Sequence, residues 1–193
     1  MDMTTTTSER PSARARLLEA ADELFYREGV QSVGIDRIIE HAGVAKASLY
    51  KHFGSKEELV HAYLVERHER TRRRLTAAVA EHDDPRAQML AVFESQSATM
   101  RRPGFRGCAF VGASAEAPAG GLVEQATRDY RDWVRALFTR LATDGGAGRP
   151  EALAAQLHLL YDGAAASGNL DHDRTAADTA AIAAAALWDA ATS

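Results

Sequence analysis

The chain has 193 residues, enough for one large domain or two small ones with a sizeable interior. Its formal charge of -4, from 23 basic and 27 acidic residues, excludes a protein that holds nucleic acid by bulk positive charge. The 39 alanines, against 14 glycines and 5 prolines and with no long alternating β-branched run, favour packed helices over sheet.

Met1–Arg10 is polar and threonine-rich, without an apolar stretch of signal-peptide length. Pro11 and Ser12 then open a first helix, whose apolar stripe is Leu17, Ala21, Leu24 and Phe25 and whose end is marked by Gly29. Two short helices are predicted over 36–42 and 46–52, joined by Gly43-Val44-Ala45. Ser55-Lys56-Glu57-Glu58 reads as a capping box that starts a long helix through about Glu81. Asp84-Pro85 begins the next helix, with Met89, Val92, Phe93, Gln96 and Met100 facing inward.

The stretch 101–121, with Pro103, Pro118 and five glycines, is read as irregular. A long helix follows, with Val123, Ala126, Tyr130, Val134, Leu137, Phe138 and Leu141 on one face. Gly145-Gly146-Ala147-Gly148 breaks it, and Pro150 opens a helix carrying Leu153, Leu157, Leu160, Tyr161 and Ala164. An alanine-rich helix from about Arg174 completes the chain. No run of about eighteen apolar residues is present, so no membrane span is expected. The lone Cys108 excludes an internal disulfide framework and a multi-cysteine zinc site. The expected location is cytoplasmic.

The front of the chain carries the sharpest spacing. Ile38, Ala42, Val44 and Leu49 can share an interior with the first helix, and Gly43 supplies the positive φ that a tight turn between crossed helices needs. In the second short helix Leu49 and Phe53 are the apolar anchors. Lys46, Ala47, Ser48, Tyr50 and Lys51 occupy the other face. Such a face suits a DNA major groove, offering cations for phosphate, a hydroxyl for base or phosphate, and small side chains for close approach. It also suits the solvated side of an ordinary bundle. All three lysines of the chain, Lys46, Lys51 and Lys56, fall in this stretch.

At these residues the sequence resembles a known family. Ile38 to Leu59, IIEHAGVAKASLYKHFGSKEEL, is similar to the helix-turn-helix signature of the TetR/AcrR transcriptional regulators. The likeness reaches back to Leu18–Phe25 and Glu28-Gly29-Val30. It implies an all-α fold of about nine helices: a three-helix DNA-binding domain at 1–56 and a ligand-binding and dimerisation bundle at 57–193. By resemblance, Lys46, Ala47 and Ser48 would face base edges or nearby phosphates. Tyr50 and His52 would sit against the backbone, and Lys56 would hold a phosphate with the amides of its helix. Arg37, on the preceding helix, would reach the backbone, and Lys51 lies on the same DNA-facing side. Two positions depart from the family pattern: Gly34 and Ala45 stand where hydroxyl residues commonly cap the two short helices.

The resemblance further implies a homodimer that binds a double-stranded operator and is released by a small effector; few charges interrupt the inner helix faces, so that effector is expected to be largely apolar. Pocket candidates are Met89, Phe93, Phe105, Phe110, Tyr130, Trp133 and Tyr161, although most such residues at helical spacing are simply core. The last two helices would form the dimer interface through Leu157, Ala164, Ala165, Ala181, Ile182 and Ala185, unless those faces pack within the chain. Cys108 is a small buried hydrophobe or, with Arg101, Arg102 and Arg106 nearby, a low-pKa redox sensor. His158 and Asp162, at i and i+4, could share a metal, but no third ligand is marked. No nucleophile–base set or phosphate loop has supporting context, so neither enzyme activity nor a cofactor is expected.

Overall fold

The structure, a computed structural model, describes residues 11–193; the Met1–Arg10 leader lies outside the described residues. The described residues form nine α-helices and no strand. These are α1 (Ala13–Glu28), α2 (Ile35–Ala42), α3 (Lys46–Phe53), α4 (Lys56–Ala80), α5 (Pro85–Met100), α6 (Ala109–Glu116), α7 (Leu122–Asp144), α8 (Pro150–Leu170) and α9 (Ala176–Ala191).

Side-chain caps set several of the starts. The Ala15 amide donates to Ser12 Oγ at 3.2 Å, the Glu58 amide to Ser55 Oγ at 3.1 Å, and the Ala87 amide to Asp84 Oδ2 at 2.8 Å. Only the Ser55 half of the expected capping box is made, because the Ser55 amide turns to the Phe53 carbonyl at 2.8 Å. The stretch read as irregular contains α6. Its buried pair is Phe110 and Ala113, and its small residues and internal Gly112 leave no apolar stripe to read.

The described chain divides into two compact units, one ending at Tyr63 and one spanning Leu64 to Ser193. The division falls inside α4, whereas the 56/57 boundary read from sequence lies at that helix's start. In the first unit α1 packs on α2 and α3. Leu17, Ile38, Leu49 and Leu59 are fully buried, and Phe25 meets the edge of Tyr63 at 5.6 Å.

In the second unit α7 lies against α8, α8 against α9, and α9 against α5. Leu75, Met89, Phe93, Val134, Phe138 and Leu157 fill its core. Gly168 permits one close approach, since a Cβ there would run into the Met100 side chain. The ends of α5 and α9 are tied by the bidentate Arg86–Asp189 pair at 2.6 and 2.9 Å and by Arg101–Asp178 at 2.5 Å. Arg174 donates to the Met100 carbonyl. No helix among the described residues is long and apolar enough to cross a membrane.

Candidate nucleic-acid interface

The turn between α2 and α3 is built from glycine and one arginine. Gly43 ends α2 at φ 60°, its amide donating to Glu40 O while the Val44 amide reaches Ile39 O, both at 3.1 Å. The remaining carbonyls, of Ala42 and Gly43, both accept from Arg16 Nη1, at 3.0 and 2.8 Å. A guanidinium from α1 therefore closes the negative end of α2 and holds the turn that leads into α3. Sequence reading missed Arg16, because the contact spans about 26 residues and leaves no local pattern. At the other end of α3, Arg14 lies over the Phe53 ring, 5.2 Å from its centroid.

With Leu49 and Phe53 buried, the opposite side of α3 is open. Lys46, Ala47, Tyr50, Lys51 and His52 are exposed, Tyr50 at 46 %, and Ser48 is half-buried. Lys56 opens α4, half-buried.

Two of the expected DNA-facing cations are already engaged. Lys46 Nζ lies 2.9 Å from Asp36 Oδ1, and this hydrogen bond, reinforced by charge, raises the lysine above its ordinary pKa. Arg37 pairs with Glu28 at 2.5 and 3.0 Å, and Glu28 also receives Arg27 at 2.9 Å. The helices α2 and α3 both start without a side-chain cap, at Gly34 and Ala45, as their residue types require.

In the second unit most of the pocket candidates form a continuous aromatic run. Phe93, Phe138 and Tyr161 make a triangle with centroids 5.8 to 6.2 Å apart. Tyr161 lies beside Tyr130, on which Phe110 stacks at 4.0 Å with its plane 1° from parallel. His68 lies 5.8 Å from both Tyr130 and Trp133. Met89 is fully buried core, and Phe105 sits apart, in the turn after α5 and near Gly168.

Cys108, which precedes α6, and the His158–Asp162 pair of α8 are both singled out in the sequence. Burial pushes the Cys108 thiol up, outweighing nearby backbone hydrogen bonds, and the arginine that acts on it is Arg131 rather than Arg101, Arg102 or Arg106. A thiol held protonated in this way is a poor redox sensor. The Asp162 carboxylate is taken by Arg131 at 2.6 Å, leaving His158 Nε2 at 3.6 Å. No group of three metal-binding side chains occurs among the described residues.

Of the six residues expected at a dimer interface, the two most buried lie on α8. Leu157 and Ala164 are covered by their own chain, at 0 % and 4 % exposure, while Ala165, Ala181 and Ala185 are half-buried. Ile182 alone of the six is exposed, at 74 %, and Leu159 and Leu170 stand out at 76 % each. A shallow groove of about 300 Å³ between the two helices is lined by Leu159, Gly163, Ser167, Thr179 and Ala183, among others. The missed signal is the exposed series Ala152, Ala155, Leu159, Gly163, Ala166 and Leu170, spaced by three or four residues.

The family described as bacterial regulatory proteins of the tetR family matches residues 17–63. The HTH-type transcriptional regulator TtgR of Pseudomonas putida is 42% identical over 64 residues, 33% of this chain and 30% of that protein. The HTH-type transcriptional activator FasR of Mycolicibacterium smegmatis is 47% identical over 55 residues, 28% of this chain and 25% of that protein. The matched stretch thus spans less than a third of either curated relative. A crystal structure of SCO4454, a TetR-family transcriptional regulator from Streptomyces coelicolor, is similar throughout. It is 38% identical, covers 94% of this chain and 96% of its own, and superposes with a TM-score of 0.88. The chain belongs to the TetR family of bacterial regulators, DNA-binding transcriptional regulators rather than enzymes.

Proposed function

We propose that the protein is a ligand-responsive repressor that binds a palindromic operator as a homodimer and releases it when a small, largely apolar effector occupies the second unit. The observation that carries this reading is the open side of α3, where small, hydroxyl and cationic side chains lie opposite buried Leu49 and Phe53. In this reading Lys46, Ala47 and Ser48 meet base edges or nearby phosphates. Tyr50, Lys51, His52, Lys56 and Arg37 meet the backbone. A dimer places two such helices about one turn of DNA apart, which is why the operator is palindromic.

The exposed apolar stripe of α8 and α9, with Leu159, Leu170 and Ile182, supports the dimer. The aromatic run of the second unit supports an effector with an apolar body. An effector lowers DNA affinity by its preference for the spacing that does not fit the operator, and by no more than that. Such a regulator works on the chromosome, in the cytoplasm. Selection of binding sites from a random duplex pool tests the reading. A folded dimer should enrich a short palindrome, bound less tightly as salt rises. A folded dimer that enriches none would refute it.

A further inference from the structure

The second unit holds a half-buried cation that has no carboxylate partner among the described residues. Arg74, on α4, is half-buried, and its Nη1 donates to Ser95 Oγ on α5 at 2.6 Å. The guanidinium also lies beside the hydroxyl of Tyr161 on α8, a residue only 5 % exposed. Both partners are neutral hydroxyls. Among the described residues no carboxylate pairs with Arg74. Arg131, by contrast, holds Asp162 at 2.6 Å.

A guanidinium with spare donors in a partly desolvated site is costly unless an acceptor of opposite charge completes it. The surrounding groups are arranged to help such an acceptor. Tyr161 lies between Arg74 and Tyr130, and its hydroxyl can both donate and accept. The buried His68 Nε2 and Gln96 Oε1 have no partner. Gln96 is joined to Tyr161 through its other amide atom, and His68 faces Tyr130.

We propose that Arg74, with Ser95 and Tyr161, seats the carboxylate of a small aromatic acid, and that its ring lies along the wall made by Tyr130 and Phe110. The site rests on the reading of the second unit as effector-binding, and it gives the apolar effector a single anionic head. A planar fork of donors matches a carboxylate. A phosphate is disfavoured, because one cation cannot balance two charges and burial keeps the neighbouring His68 neutral. Gln96 Oε1, an acceptor, is left to take a ring hydroxyl or amide.

The test uses the full chain and measures binding of benzoate, phenylacetate and cinnamate, each against its amide, by calorimetry. At least one acid should bind about ten- to a hundredfold more tightly than its amide, the range expected of a charge-assisted pair. Arg74→Gln should remove that preference while leaving DNA binding intact. Arg74→Lys should restore part of it. Should Arg74→Gln fail to fold, Tyr161→Phe serves, with the acid weakened severalfold and the amide unchanged. Acids and amides that bind equally, or acids that do not bind, overturn the proposal. So does an acid preference that survives Arg74→Gln. Selected operator DNA separates the two readings. An amide that releases the DNA as well as its acid keeps the effector reading and removes the acid site. An acid that binds through Arg74 without releasing DNA keeps the site and removes the effector reading.

Discussion

Replacing Ala45 by serine supplies the cap that α3 lacks. Ala45 is the N-cap residue, in extended conformation at φ -73° and ψ 148°, exposed and without a side-chain hydrogen bond to the helix. A serine hydroxyl there accepts from the amide two or three residues on, with no desolvation to offset the gain. Alanine at such a position is usually worse than serine by ~0.5–2 kcal/mol. The Ser48 amide already donates to the Ala45 carbonyl at 2.9 Å, so the new hydroxyl is left chiefly with the Ala47 amide. The gain therefore falls in the lower half of the range, about 0.5–1 kcal/mol.

Gly34→Ser at the start of α2 adds a few tenths from the cap and roughly 0.4–1 kcal/mol from a stiffer unfolded chain. Nothing lies within 4 Å of the position its Cβ would take, so no clash opposes the change. For a small unit melting on its own, 1 kcal/mol raises Tm by roughly 4–8 °C. Calorimetric melting of Ala45→Ser, Gly34→Ser and the pair should show each gain separately. Ala45→Val is the control and should gain nothing. A flat result for Ala45→Ser, or an equal gain from valine, would refute the reasoning.

The remaining predictions concern association, recognition and pH. Leu159→Asp combined with Ile182→Asp should convert a dimer to a folded monomer by sedimentation, whereas Leu157→Asp, buried in its own chain, should unfold the protein. Tyr50→Ala should weaken binding to all duplexes alike, while Ser48→Ala should change which sequence the selection enriches; a uniform loss from both would contradict the assignment of bases to Ser48. Burial holds the His158 imidazole below its ordinary 6.5, with Arg131 and Arg135 acting in the same sense and Asp162 against it. The unfolded chain then takes the proton first, so stability is full above pH 6.5 and is lost as the pH falls through the lower folded value. Urea midpoints should fall on acidification, less so in His158→Gln; an equal fall in both would remove His158 as the cause. His68, also lowered by burial, adds to the same slope.

Elements whose ends are written in local chemistry were legible in the sequence. Ser55, Asp84, Pro85 and Pro150 mark helix starts, and Gly43 marks the turn, because capping and φ preference act over three or four residues. The apolar stripe of α7 was legible because Tyr130, Val134, Leu137 and Phe138 contrast with charged neighbours. In α8 and α9 small residues surround the helix, so polarity could not say which side faces outward. The buried side was taken for the interface at Leu157 and Ala164. The Arg74–Ser95–Tyr161 group was illegible for a different reason. It draws on three helices, and in sequence Arg74 is one of five arginines on α4. Only packing distinguishes it from those beside Glu66 and Glu69.

The Lys46–Asp36 and Arg37–Glu28 pairs bear on how ion counting would read this protein's affinity for DNA. Each acid is an internal counterion. When a phosphate takes Lys46, the DNA sheds condensed cations, but Asp36, left at 81 % side-chain exposure, recruits cations of its own from solution. Net ion release per contact is then less than the roughly 0.9 expected of a free lysine. The slope of affinity against salt would undercount the phosphates touched, and Asp36→Asn would steepen it without adding a contact.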